Sequence, residues 1–204
     1  MVIRGGTVVN AAEISKCDVG IKDGRIVALG EKLDAGAEEI DATGKYVMPG
    51  GIDSHCHIDQ RSSGGGRNSE TFESGTRSAA CGGTTTIICF AAQEKGELLT
   101  PVVEEYHDKA KQSCIDYSFH LIISDPSDEV MHEEVPKLIK AGHRSLKLFM
   151  TYPRNRLNDA EILRVLEVAK LNQALVCVHA ENHDAIMYMM SLIHISEPTR
   201  PLYS

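Results

Sequence analysis

The chain of 204 residues lacks a cluster of basic residues and a long hydrophobic run. Its net charge is -8, and this acidity excludes the usual binding modes for nucleic acid and for anionic membrane surfaces. No segment approaches the ~18 consecutive apolar residues of a membrane span, and the amino terminus has no apolar core of a signal peptide. These absences predict a cytoplasmic protein. Its length suffices for one domain or for part of a larger one.

The sequence also lacks any Cys-x-x-Cys pair, although it contains six cysteines. Several of them lie in apolar segments, where a reduced and buried thiol is common. We therefore expect free thiols rather than disulfides. The cysteines stand at positions 17, 56, 81, 89, 114 and 177.

The pattern of predicted elements changes near residue 50. Residues 1–49 contain short strands and turns, with Asp23-Gly24 as a hairpin signal, and are predicted to form part of a β-sandwich module. Residues 50–190 alternate strand and helix, which predicts βα units around a parallel sheet. The predicted strands are 51–57, 84–90, 117–124, 145–149 and 175–179. The predicted helices are 69–81, 101–113, 129–141 and 159–171, and Pro136 is expected to kink or split the third.

Five successive strands indicate an α/β fold, specifically a partial (β/α) TIM barrel. A doubly wound sheet gives a similar pattern, and periodicity alone does not separate the two. Polar residues at strand ends favour the barrel, because barrel enzymes carry their sites at the carboxyl ends of the strands. His55 and His57 close the first predicted strand, Lys147 lies on the fourth, and His179 ends the fifth.

His55 and His57 are two residues apart, so on a strand both imidazoles share one face and can reach the same ion. Lys147 lies in the apolar run Ser-Leu-Lys-Leu-Phe-Met, where an unpaired ammonium is costly. Carboxylation of this lysine by CO2 would replace the cation with an anionic oxygen donor able to bridge two metal ions.

Four motifs together resemble the hydantoinase and dihydropyrimidinase branch of the amidohydrolase superfamily, whose members open cyclic amides on a metal-bearing barrel. The motifs are Pro-Gly-Gly-Ile-Asp-Ser-His-Cys-His at 49–57, Gly-Thr-Arg-Ser-Ala-Ala-Cys-Gly-Gly-Thr-Thr-Thr at 75–86, Leu-Lys-Leu-Phe-Met-Thr-Tyr at 146–152 and His-Ala-Glu-Asn at 179–182. The resemblance covers roughly residues 1–190.

The resemblance implies a fold and a set of roles. The fold is a metal-dependent-hydrolase barrel beside a small β-sandwich module. His55 and His57 would bind one divalent ion, His179 a second, and Lys147 as its N6-carboxylated form would bridge the two, with Zn2+ as the expected metal. Tyr152 would hydrogen-bond the reacting carbonyl of a small cyclic amide. The intact relative would be a cytoplasmic homotetramer.

Other interpretations remain open at this point. Dihydroorotases have an arginine two residues after the second histidine, and Asp59 at that position argues against this activity. An allantoinase-like amidohydrolase, or a non-catalytic interaction protein of the collapsin-response type, would share the fold. Among the remaining histidines, His120 is expected to be structural and His183 solvated. His107, His132 and His143 are expected to be exposed, and residues 62–66 to form a mobile loop beside the site.

The carboxyl end departs from the family pattern. Ser191 to Arg200 resembles the translation of a transposon-based sequencing-library adapter, so residues 191–204 are predicted to be an assembly artefact, and His194 is a poor ligand candidate. The barrel of this family needs eight strands, and five are predicted here. We therefore expect the chain to be an inactive amino-terminal fragment of an active enzyme.

Overall fold

The computed structural model describes residues 1–61 and 66–195, with side chains up to residue 193. The predicted loop at 62–66 therefore lies largely outside the described residues, as do the side chain of His194 and the final segment from residue 196. Two compact units share the chain, Met1–Gly51 and a second that begins at Ile52. None of the helices in the described ranges is long and apolar enough to cross a membrane.

The first unit contains a five-stranded sheet built around β1. Its strands are β1 Val2–Val9, β2 Ile14–Lys22, β3 Arg25–Gly30, β4 Glu39–Asp41 and β5 Tyr46–Val47. The hairpin predicted at Asp23-Gly24 joins β2 to β3, and both residues adopt positive φ angles, 51° and 71°. Asp18 on β2 is buried and accepts hydrogen bonds from the backbone N–H groups of Gly5 and Leu33, which ties a loop to the sheet.

The second unit is organised by a parallel sheet in which each strand lies beside its predecessor in the chain. The strands are β6 Gly51–Asp53, β7 Thr84–Ala92, β8 Asp116–Ile122, β9 Ser145–Phe149 and β10 Leu175–His179, and their spatial order is β10-β9-β8-β7-β6. A doubly wound sheet reverses direction partway through its strand order, whereas a barrel adds strands in sequence. The observed order therefore supports the partial barrel.

Helices follow the strands of this sheet. They are α1 Phe72–Cys81, α2 Leu99–Ala110, α3 Val135–Lys140, α4 Asp159–Leu171 and α5 His183–Ile195. Asn158 caps α4 through a reciprocal capping box with Glu161. The third predicted helix is split, because a π-helical turn at Val130–Glu134 precedes α3 and places Pro136 in the first turn of α3.

The main core lies between this sheet and its helices. Alternate strand residues point toward the helices and away from them, so Phe119 and Leu121 of β8 join the core while His120 points to the other side. The same alternation on β9 places Leu146 and Leu148 in the core and leaves Lys147 facing the opposite side. The strand residues that point away from the core, such as His120 and Lys147, carry polar groups.

Candidate metal centre

His55 and His57 lie just beyond β6 rather than on it. The strand ends at Asp53, whose Oδ1 accepts a hydrogen bond from the backbone N–H of His55 at 3.0 Å, so the prediction of a strand through residue 57 is wrong. Such an aspartate turn competes with strand pairing. The two imidazoles nevertheless lie together, with ring centroids 5.4 Å apart and each 4.7 Å from the ring of Phe90.

Lys147 is buried on β9, with 7% of its surface exposed. Its Nζ lies 5.7 Å from the ring centre of Phe90 and 5.2 Å from that of Phe149. Across residues 1–61 and 66–193, no carboxylate lies within 4.0 Å of this nitrogen and no hydrogen bond to it is formed. The side chain therefore brings a nitrogen into the site without an anion to neutralise it.

His179 ends β10 and lies near Tyr152, which follows β9. The two ring centroids are 5.0 Å apart, and His179 Nε2 contacts the carboxylate of Glu181. Tyr152 has a φ of 68°, a left-handed conformation that is uncommon outside glycine. Its carbonyl accepts hydrogen bonds from the N–H groups of Asn155 and Arg156 at 2.9 and 2.8 Å, and these bonds hold the strained backbone.

All five residues predicted for the site line one open cleft of about 1070 Å3. The cleft lies at the carboxyl ends of β6, β7, β9 and β10, where a barrel carries its active site. The structure thus brings His55, His57, Lys147, His179 and Tyr152 together, and their roles as metal ligands and catalytic group stay predictions. In the described part of the chain, histidine, cysteine and carboxylate side chains form no cluster of three that could hold an ion.

The environment of His55 favours the neutral imidazole. Burial lowers the pKa of this side chain, and the positive charges of Lys147 and His57 lower it further. A neutral imidazole has the free lone pair that a metal ligand requires. The electrostatics of the cleft therefore suit metal binding by this residue.

Residues that the sequence patterns did not single out position His57. The Oε1 atom of Gln60 lies 2.5 Å from Nδ1 of His57, and the Asn68 side-chain amide donates to the His57 carbonyl at 2.9 Å. When Nδ1 carries the proton and donates to Gln60, Nε2 is left free to bind an ion. The only sequence signal for Gln60 is its position three residues after the second histidine.

Ion pairs anchor the segment that carries these residues. Arg61 pairs with Glu97 and Glu105, and Arg67 pairs with Asp59 and Glu105. The pairs connect the segment after β6 with α2 and with the loop before it. Asp59 is thus engaged with an arginine of its own loop.

The other histidines only partly match expectation. His120 is buried, with Nε2 donating to the Ser54 carbonyl at 2.8 Å and Nδ1 lying 2.6 Å from the Ser145 hydroxyl, which fits a structural role. His183 lies 3.2 Å from the Thr151 hydroxyl and is half-buried rather than solvated. His107 and His143 were expected to be exposed, but they form a half-buried pair with their Nε2 atoms 3.2 Å apart.

Comparison with known proteins finds similar sequences among D-hydantoinases and D-phenylhydantoinases. The D-hydantoinase of Geobacillus stearothermophilus is 47% identical over 98% of this chain and 43% of its own length. The D-phenylhydantoinase of Escherichia coli is 39% identical over 100% of this chain and 44% of its own. The chain therefore spans less than half the length of these curated relatives.

Solved structures show the same fold. A D-hydantoinase structure matches with a TM-score of 0.91 and 42% identity over 95% of this chain and 42% of the other. The dihydropyrimidinase from Brevibacillus agri NCHU1002 matches with a TM-score of 0.90, also at 42% identity and over 95% and 42% of the two chains. These likenesses confirm the partial barrel with its small β-module and the resemblance to the hydantoinase branch. The model of the amidohydrolase family matches residues 46–203, and the chain belongs to that family.

Proposed function

We propose that the protein to which this chain belongs hydrolyses a cyclic amide, opening a hydantoin or dihydropyrimidine ring to an N-carbamoyl amino acid. The observation that carries the proposal is the convergence of three histidines, a buried lysine and a tyrosine on one cleft. The similarity to D-hydantoinases supports the substrate class and does not favour an allantoinase or a non-catalytic relative.

The residues in the cleft fit a pair of divalent cations. Imidazole is a ligand for zinc and similar metals, and the burial that lowers the pKa of His55 keeps its lone pair free. Lys147 as an ammonium would repel a cation, whereas its carbamate would offer two oxygens and would remove a buried positive charge that has no anionic partner in the described residues. His55 and His57 would hold one ion, His179 the other, and carboxylated Lys147 would bridge them, with Zn2+ as the proposed metal.

Divalent cations held there would supply Lewis acidity, which makes water nucleophilic at neutral pH and polarises an amide carbonyl. The residues of the chain would position the cations and the amide carbonyl. Gln60 Oε1 accepts a hydrogen bond from the Nδ1–H group of His57 and so fixes the orientation of that ring. Tyr152 lines the same cleft, and its hydroxyl can donate a hydrogen bond to the oxyanion that develops on the carbonyl.

We also propose that the 204-residue chain does not turn over substrate by itself. The family barrel closes with eight strands, and the described residues supply five. An open barrel leaves the cleft without the residues of the remaining strands. The whole protein is proposed to be a cytoplasmic homotetramer, as its resemblance implies.

The activity is tested by measuring hydrolysis of dihydrouracil and of 5-substituted hydantoins. The chain is compared with a longer protein that continues through the native gene to the full length of the relatives. We expect turnover by the longer protein only. Ring opening by the 204-residue chain would contradict the need for the missing strands, and turnover of allantoin alone by the longer protein would contradict the substrate class.

The metal centre is tested separately by metal analysis after zinc loading in bicarbonate buffer. Lys147→Met is compared with Lys95→Met, which changes an exposed lysine lining the same cleft. We expect Lys147→Met to retain at least about tenfold less zinc than wild type, since altered metal shells typically cost ten- to a hundredfold in affinity. Equal retention by the two variants, or no uptake of isotope-labelled bicarbonate at Lys147, would refute the bridging carbamate.

A further inference from the structure

Two cysteines meet directly behind the candidate metal centre. Cys56 stands between His55 and His57, and its Sγ lies 3.3 Å from Sγ of Cys89 and 3.8 Å from the carbonyl of Ile88. Cys89 lies in the middle of β7 and is fully buried, whereas Cys56 is half-buried. The two residues are 33 positions apart in sequence, so only the fold brings the thiols together.

Side chains that point in alternate directions explain this arrangement. His55 and His57 face the ring of Phe90, and Cys56 between them turns the other way, toward the core behind the sheet. On β7 the same alternation turns Phe90 toward the histidines and Cys89 toward the core. One short segment therefore carries two imidazoles on one side and a thiol on the other.

We propose that Cys56 and Cys89 form a redox-sensitive pair that hydrogen peroxide converts to a disulfide. Cys56, the more exposed thiol, reacts first: its sulfur attacks the peroxide, the O–O bond breaks, and the products are Cys56 sulfenic acid and one water. The Cys89 thiol then attacks that sulfur, forming the S–S bond and releasing a second water. Two thiols lose two hydrogen atoms, and the peroxide accepts them as it is reduced to water.

Closing this bond is expected to move the histidine segment. A disulfide has an S–S length of about 2.05 Å, so the two sulfurs must approach by about 1.2 Å from their 3.3 Å separation. Cys89 is held by the ladder between β7 and β8, where it is paired with Phe119, so the segment after β6 is the part that shifts. The shift displaces His55 and His57 together. Its effect on metal retention rests on the proposed function, but formation of the disulfide does not.

The experiment treats the purified chain with hydrogen peroxide and counts free thiols after unfolding. We expect the count to fall from the six cysteines of the sequence to four and to return to six with dithiothreitol. Peptide mapping locates the bond, and fragmentation between Cys81 and Cys89 distinguishes these two, since no tryptic site separates them. Zinc retention is measured on the same samples, with about a tenfold decrease expected on oxidation.

A matched control uses Cys17→Ser. Cys17 is also half-buried, but its recorded neighbour is the Ser15 hydroxyl at 3.7 Å. This variant is expected to form the disulfide like wild type, and Cys56→Ser to lose it. A Cys56 that proceeds to sulfinic acid, or a bond joining any other pair, overturns the proposal. If the disulfide forms and zinc retention does not change, the coupling to the histidines is refuted. If the disulfide forms but the reduced chain retains no zinc, the proposed metal centre is refuted and the cysteine pair stands.

Discussion

The amino-terminal end of α2 is capped by a residue from a distant part of the chain, and this contact leads to a quantitative prediction. Leu98 at the N-cap position offers no side-chain hydrogen bond. The carboxylate of Glu134, on the π-helical turn, accepts instead from the backbone N–H groups of Leu99 at 2.6 Å and Thr100 at 3.0 Å. Glu134 itself is 8% exposed. Its negative charge also complements the positive end of the helix dipole.

Replacing Glu134 with alanine leaves both N–H groups without an acceptor. Leu99 is fully buried, so water cannot readily replace the carboxylate at this N–H. A hydrogen bond to a charged group contributes about 1.5–3 kcal/mol, and a lost cap typically costs about 1 kcal/mol. We expect Glu134→Ala to lower the free energy of unfolding by about 2–4 kcal/mol. Glu134→Gln keeps one acceptor and should cost about half as much.

Urea unfolding followed by circular dichroism measures these differences. Glu133→Ala is the matched control, because Glu133 lies in the same turn but is exposed, and it should change the free energy by less than about 0.5 kcal/mol. Equal destabilisation by Glu133→Ala and Glu134→Ala would show that the loss of stability comes from the π-helical turn and not from the lost cap of α2.

Three further predictions concern other parts of the molecule. In the longer protein that is proposed to be active, Tyr152→Phe should reduce kcat by about a hundredfold or more with little change in KM, since the lost hydrogen bond acts on the developing charge. Steady-state kinetics that show a change in KM alone would contradict the proposed role. Burial and the adjacent His107 hold the pKa of His143 below its ordinary 6.5, so the unfolded chain binds this proton first and stability should fall as the pH is lowered from neutrality through about 6.5. His143→Gln should flatten that dependence in thermal unfolding, and His132→Gln, at an exposed site, should not. The outer edge of β10 has no paired strand in the described residues, and Val178 on this strand is 40% exposed, so the chain should self-associate in sedimentation experiments. Val178→Lys should reduce the self-association, and an unchanged sedimentation profile would exclude this edge as the contact.

Local sequence signals located most of the elements. The limits of β9, β10 and α4 match the predicted ranges, because each is a short apolar or well-capped segment bounded by turn residues. The prediction for β6 was too long, because Asp53 forms a turn with the His55 backbone that hydrophobicity does not reveal. Pro136 indicated a break in the third helix, but not the π-helical turn that brings Glu134 to α2.

The sequence by itself determined the alternation of strand and helix, the acidic character of the chain and the motifs that carry His55, His57, Lys147 and His179, because these depend on residue type and on near neighbours along the chain. Only the tertiary structure decided between a barrel and a doubly wound sheet, since strand order is a property of long-range pairing. It also decided which distant side chains meet: Cys56 with Cys89 and Glu134 with α2. Such contacts depend on the packing of several elements at once, and no local pattern of residues specifies them.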